Sequence, residues 1–307
     1  MRPALLLLSL LWSLALPAAT LDLAPVRVHE GVYAVIGDLG NQSPENDGLN
    51  SNLGFLVGDD AVLVINTGPS QRVAEALHAA IRKVTNRPVK WAVNVNSQNH
   101  HWHGNEYFQK QGAVLVAHAE AVRLMREQGA GQLDANKALL KEKYAGTKLA
   151  YPSEVFTDTK ALHLGKTQIE LRHFGNAHTP GDLVVWLPQS KILFAGDLAY
   201  TGRMLAVLPF GSTAGWVAGL ERVAALAPAQ IVPGHGKVGT LADTQRDTRD
   251  YLVLLRSEAK RIFEAGGTLD DAVAKVDQSR FKSLNNFDLL ARRNMNIVFQ
   301  EIERELF

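Results

Sequence analysis

The sequence predicts an α/β fold built in layers, with two mixed β-sheets covered on their outer faces by helices. Two observations predict it. Short apolar strands give way to amphipathic helices twice along the chain, and residues 183–197 repeat the plan of residues 55–67: apolar strand, short polar turn, apolar strand, then a polar residue before a loop. The strand Trp91-Ala92-Val93 runs straight into Asn-Val-Asn-Ser-Gln-Asn-His-His-Trp-His-Gly-Asn-Glu-Tyr-Phe at 94–108. His100, His101 and His103 therefore fall at the C-terminal end of a strand, where α/β folds place their sites, and such imidazole density points to metal binding or proton transfer.

Composition narrows what that cluster can belong to. In the first twenty residues Arg2 is the only charge, Ser9 and Ser13 are the only polar residues between Ala4 and Leu16, and Pro17-Ala18-Ala19-Thr20 follows. This pattern predicts a signal peptide over 1–19, cleaved near Ala18 to Thr20, rather than a membrane span. No later segment is apolar enough to cross a bilayer, so a periplasmic or secreted single domain over 20–307 is expected. Losing Arg2 takes the formal charge from +1 to zero, and no Lys/Arg block is present, which argues against nucleic acid as a partner. The chain has no cysteine. Disulfides, thiolate ligands and a cysteine nucleophile are excluded together, leaving nitrogen and oxygen to hold any metal.

In chain order, residues 26–28 and 32–36 flank Glu30-Gly31, and 54–57 and 61–65 flank Gly58-Asp59-Asp60, which reads as two hairpins. Residues 39–52 are loop by composition. Ser70 caps a helix with Val73, Leu77, Ala80, Ile81 and Val84 on one face, ended by Pro88. After a strand at 113–117, His118 is placed for a structural hydrogen bond before a helix at 120–128. Residues 129–152 read as a Gly-punctuated insertion or lid around a helical piece at 133–144. Strands resume at 168–174, 183–187, 191–194 and 230–232, with a helix at 213–226. The helical extension over 240–307 carries core stripes and a capping box at Thr268 and Asp271.

Three further pieces follow in order, each at a strand end: His178-Thr-Pro-Gly-Asp182, Phe194-Ala-Gly-Asp197 and Pro233-Gly-His235-Gly236. With the histidine stretch, they make residues 26–240 resemble the metallo-β-lactamase fold superfamily. That resemblance implies a four-layer αββα sandwich with a metal site in the cleft between the sheets. The family's first motif, His-x-His-x-Asp-His followed by Gly-Asn, lies on this chain without a gap when Asn94 and Gly104-Asn105 are the anchors. Asn96 and Gln98 then replace the leading histidines, His100 replaces the aspartate, and His101 is the last histidine. A second register, with Gln98, His100 and His103 on the motif, requires a deletion before Gly104. His178, Asp197 and His235 fall on the remaining ligand positions.

The resemblance thus implies a first site of Asn96, Gln98 and His178, and a second of His100, His101, Asp197 and His235. Amide oxygens suit hard cations better than zinc, so the first site is expected to be weak or empty. Three imidazoles and a carboxylate suit zinc, and one zinc per chain is expected, with none as the alternative. Asn66 stands where relatives have aspartate, at a position that supports the ligands. His103 is a candidate general base beside Asp197 as a catalytic residue, or a supporting histidine. Trp102, Arg203 and Phe210 are candidate pocket residues, with Trp216 beside them; the alternatives are core packing for the aromatic residues and an exposed surface position for Arg203. Asp182 orients His178 or caps a turn.

These residues predict an exported hydrolase in which a metal-activated water attacks an ester, thioester, lactone or amide carbonyl of a small-molecule substrate. The resemblance also connects such exported chains with periplasmic oxidation pathways and a redox partner there. A binding or accessory protein that has lost turnover is the alternative, and a β-lactamase the third reading.

Overall fold

Short apolar strands and tight turns make the first sheet. β1 (Val26–His29) and β2 (Val32–Val35) form the first hairpin, and β3 (Leu53–Val57) and β4 (Val62–Ile65) the second. The computed structural model describes residues 21–306, and the leader expected over 1–19 lies outside the described residues. α1 (Gln71–Val84) starts at Ser70, whose hydroxyl accepts from the Val73 amide, and it buries the predicted apolar stripe. β5 (Val89–Val93), β6 (Val114–His118) and β7 (Glu154–Phe156) extend the sheet in parallel, giving seven strands in the order β1 to β7.

The second sheet has five strands in the order β12-β11-β10-β9-β8: β8 (Thr159–Leu164), β9 (Thr167–His173), β10 (Leu183–Leu187), β11 (Ile192–Tyr200) and β12 (Gln230–His235). The buried side chains sort into layers. Ala34, Leu63, Val93, Leu171, Val185 and Phe194 pack between the sheets. Val64, Leu77, Ile81 and Phe108 fill the outer face of the first sheet under α1. Trp186, Leu220, Leu255 and Phe299 fill the outer face of the second, under the helices Thr213–Ala225, Asp250–Glu264 and Phe287–Leu306. This is the expected αββα sandwich, with mixed strands and a helical C-terminal region. The reciprocal Thr268 and Asp271 capping box is also present, opening a helix at Leu269–Lys275.

The insertion differs from its expected form. Residues 119–140 are one helix of 22 residues, Ala119–Leu140, running through Gly129 and Gly131, and the 3₁₀ turn Lys141–Tyr144 follows directly. Glycine lowers helix propensity by about 1 kcal/mol and reads as a break, but Gly129 is buried where an added Cβ would meet the Trp102 ring at 3.0 Å. Packing against Trp102 therefore overrides local propensity. His118 begins this helix: its Nδ1 accepts from the Glu120 amide at 3.2 Å, and its ring stacks on His173 at 3.8 Å between centroids.

Candidate metal centre

The polypeptide after β5 is folded back on itself by the anchor residues of the motif. The Asn94 amide donates to the His101 carbonyl at 3.0 Å and to Asn105 Oδ1 at 3.0 Å, and Asn105 Nδ2 returns a bond to Asn94 Oδ1 at 2.9 Å. Thr67 holds the same turn, donating from its amide to the His101 carbonyl at 2.8 Å and from its hydroxyl to Asn105 Oδ1 at 2.9 Å. Gly104 passes so close to Thr67 that a Cβ there would overlap the Thr67 carbonyl. Asn66, at φ 60°, accepts from the Val95 amide and donates to the Asn52 carbonyl. An aspartate there would lack the donor for Asn52. Between these clamps, one helical turn, Asn99–Trp102, carries His100 and His101 inward.

Asp197, inside β11, is the centre of the constellation. Four imidazole Nε2 atoms face its carboxylate: His101 at 3.0 Å, His100 and His178 at 3.6 Å, and His235 at 3.5 Å. All five side chains are buried, His100 being the most accessible at 9%. Gly234 makes room for the carboxylate, since a Cβ at that position would overlap Asp197 Oδ1. His100, His101 and Asp197 offer ligand atoms within 4.8 Å of one another.

Hydrogen bonding shows which of these atoms carry lone pairs. His235 Nδ1 lies 2.5 Å from the Asn50 carbonyl, which can only accept, so Nδ1 bears the proton and Nε2 the lone pair. His100 Nδ1 lies 3.2 Å from Asn99 Oδ1, with the same consequence. The His100 and His235 lone pairs thus point at a carboxylate from distances too long for hydrogen bonds, and both His100 Nε2 and Asp197 Oδ1 are buried with no partner. Asp197 Oδ2 accepts from Asn96 and lies within hydrogen-bond distance of His101 Nε2, while Asp197 Oδ1 and His100 Nε2 remain buried acceptors that a bound cation would satisfy. The donors of His100, His101 and Asp197 fit a metal ion, with His235 beside them.

The first site is different. Asn96 Nδ2 donates to Asp197 Oδ2 at 2.9 Å, and Gln98 Oε1 accepts from His178 Nε2 at 2.7 Å. The two amides engage the ligand residues themselves. Charge follows the same geometry. Burial would raise the Asp197 carboxyl, but His101 and His235 hold it well below the usual carboxylate range. Burial pushes His100 and His178 down to about 4, with His101 reinforcing the effect on both. Burial also drives His235 well below its ordinary value, so its Nε2 is an unprotonated donor at neutral pH.

Residues 46–235 match the model of the metallo-beta-lactamase superfamily. The chain belongs to the metallo-beta-lactamase superfamily. A metallo-beta-lactamase type 2 of Bacteroides fragilis is 26% identical over 148 residues, 45% of this chain and 52% of that protein. A linear primary-alkylsulfatase of Pseudomonas sp. (strain ATCC 19151) is 21% identical over 255 residues, 71% of this chain and 48% of the sulfatase. An acyl-coenzyme A thioesterase MBLAC2 of Gallus gallus is 25% identical over 207 residues, 61% of this chain and 73% of the thioesterase. The chain thus spans about half the length of the first two relatives. Among solved structures, a metallo-beta-lactamase from Pontibacter korlensis aligns with a TM-score of 0.63 at 21% identity, covering 76% of this chain and 99% of that one, a likeness of fold.

In this superfamily member the remaining predicted residues occupy varied places. His103 Nδ1 lies 2.5 Å from the Tyr144 hydroxyl, its ring packs edge-on against Trp102, and burial pushes it down to about 3. Trp102 is fully buried among Ala117, Ala121 and Met125, with its indole N–H on the Ser97 carbonyl, so it packs as core. Arg203 is buried rather than exposed, and donates to the carbonyls of Leu39 and Gly40, tying the 39–52 loop to the second half. Phe210 is 42% exposed. Asp182 caps a turn, accepting from the Thr179 amide and hydroxyl, and burial raises it to about 8. Tyr200 escaped the sequence reading: it stacks on His235 at 4.7 Å and lies near His178 and Trp216, forming one wall of the centre. Its spacing three residues after Asp197 becomes informative only because β11 is irregular between Gly196 and Tyr200.

Proposed function

We propose that this chain is an exported hydrolase with one zinc ion, held by His100, His101, Asp197 and His235, acting on the carbonyl of an ester, thioester, lactone or amide. The observation that carries the reading is the convergence of two buried, unpartnered acceptors, His100 Nε2 and Asp197 Oδ1, with His235 Nε2 3.5 Å from that oxygen. Zinc, when bound, supplies a Lewis acid for the carbonyl and an acidified water. The chain's own residues do the rest. His235 is held in register by the Asn50 carbonyl, and Asn96 restrains Asp197 Oδ2. Gln98 keeps His178 out of any first-site sphere by occupying its Nε2. His100, as the most accessible of the five, marks the edge from which substrate approaches. His103 stands beside this set, its Nδ1 engaged by Tyr144 and its Nε2 buried without a partner.

The relatives include a thioesterase, a sulfatase and lactamases, which supports hydrolysis without naming a substrate. Export rests on the leader pattern at 1–19, and among the described residues no helix is long and apolar enough to cross a membrane. A role beside a periplasmic oxidation pathway belongs to the same proposal. A second reading, a binding protein without turnover, is favoured by one observation: the amides of Asn96 and Gln98 saturate groups that a first metal would need. Metal analysis of the purified mature chain, with a panel of esters, thioesters, lactones and lactams assayed before and after chelation, separates the two. One zinc per chain with chelation-sensitive turnover is expected. Bound zinc with no turnover of any class favours the binding protein, and efficient lactam turnover makes the chain a lactamase.

A further inference from the structure

His100 stands where the family motif has an aspartate, and an imidazole there meets a requirement that a carboxylate does not: one particular nitrogen must carry the proton. The structure contains a device that decides it. The Gly48 carbonyl can only accept, and it takes Gln42 Nε2 at 2.9 Å. Gln42 must therefore present Oε1 on its other side, where Asn99 Nδ2 donates to it at 3.0 Å. The same Asn99 Nδ2 donates to Asn136 Oδ1 at 2.6 Å. With its nitrogen committed to two oxygens, the Asn99 amide has only Oδ1 left to face His100 Nδ1, 3.2 Å away. The proton then sits on Nδ1, and the lone pair of Nε2 is aimed at Asp197.

We propose that Asn99 is a positioning residue for His100, and that the 39–52 loop and the helix Ala119–Leu140 act on the metal centre through it. This rests on the zinc reading above and deepens it. It also gives a role to the segment whose sequence suggests either a lid or an insertion. Asn136 is 3% exposed and its Nδ2 has no partner, an arrangement that a helix facing the site does not need for packing alone. The helix and its 3₁₀ extension are fastened to the same region at other points, through Gln132 on the Ser97 carbonyl, Tyr144 on His103 and Lys143 on Asp47. These contacts fix where Asn136 stands, so that the single bond to Asn99 is made at one distance.

The test is zinc affinity by chelator competition together with the His100 tautomer, read by long-range ¹H–¹⁵N NMR of the metal-free protein. Asn99→Ala is expected to weaken zinc by about 10–100-fold, the range for partners that orient a metal-binding imidazole, and to release His100 from the Nδ1–H form. Asn136→Leu is expected to weaken zinc by a smaller factor, and to add nothing in the Asn99→Ala background because it acts through Asn99. Should Asn99→Ala not fold, Gln42→Leu at the far end carries the same expectation as Asn136→Leu. Affinity within twofold of the parent in Asn99→Ala, full additivity of Asn136→Leu, or an Nε2–H tautomer in the parent protein would each overturn the proposal. A parent protein that binds no zinc sinks the metal reading instead, while the tautomer in the metal-free chain still decides the role of Asn99.

Discussion

At the scale of single residues, Asp197 is the one charge on which the centre depends. Its carboxylate faces four imidazoles and accepts from Asn96, and Gly234 is small so that it fits. Asp197→Asn should lower zinc affinity beyond the roughly 10–100-fold typical of an orienting partner, measured by equilibrium dialysis; retention of parental affinity would remove Asp197 from the ligand set. The amides make the opposite prediction. Replacing them in Asn96→His/Gln98→His frees His178 Nε2 and restores two imidazoles to the first site. Metal content by mass spectrometry should then rise from one ion per chain toward two, and no rise would mean that something other than the amides closes that site.

Among the elements, the helix Ala119–Leu140 shows how packing decides what propensity leaves undetermined. Its two glycines should respond oppositely to the same substitution. Gly131 is exposed with nothing within 4 Å of an added Cβ, so Gly131→Ala should stabilise by about 0.5–1 kcal/mol. Gly129→Ala places a methyl 3.0 Å from the Trp102 ring and should destabilise despite the same gain in propensity. Urea titration of the pair checks this; equal shifts would show that Trp102 gives way freely. Gly131→Ala in turn supplies a stabilised background for the variants at Asn99 and Asn136.

For the whole molecule, the buried histidines set the response to pH. Burial depresses His100 and His178 to about 4 and His103 to about 3, so the unfolded chain, with histidines near 6.5, binds more protons than the folded chain. Their stabilisation is complete above pH 6.5 and is lost as pH falls toward 4. Asp182, raised to about 8, has the opposite sign: its contribution is full near pH 4 and is lost as pH rises through 8. One carboxyl cannot offset three histidines below 6.5, while above it Asp182 titrates against little opposition. The metal-free protein should therefore be most stable near pH 6.5, with a steep fall toward pH 5 in its urea midpoint. A midpoint unchanged between pH 7 and 5 would count against neutral buried histidines.

The layered fold was legible because apolar strand runs, helix stripes and turn residues are local, and the order of the four motifs survives in the linear chain. The anchors of the altered motif were legible too, since Asn94 and Asn105 form the clamp that closes the loop, and a clamp tolerates little change in spacing. The burial of Arg203, the stacking of Tyr200 on His235 and the continuity of the helix through Gly129 depend on segments far apart in the chain, and local pattern carries no information about them. The same holds for the centre itself. Residue types alone determined that an amide-substituted, cysteine-free, histidine-rich metal centre was encoded. Only the tertiary structure decided which nitrogens carry protons, because that depends on the carbonyls of Asn50 and Gly48 and on amides brought in from the loop and the helix.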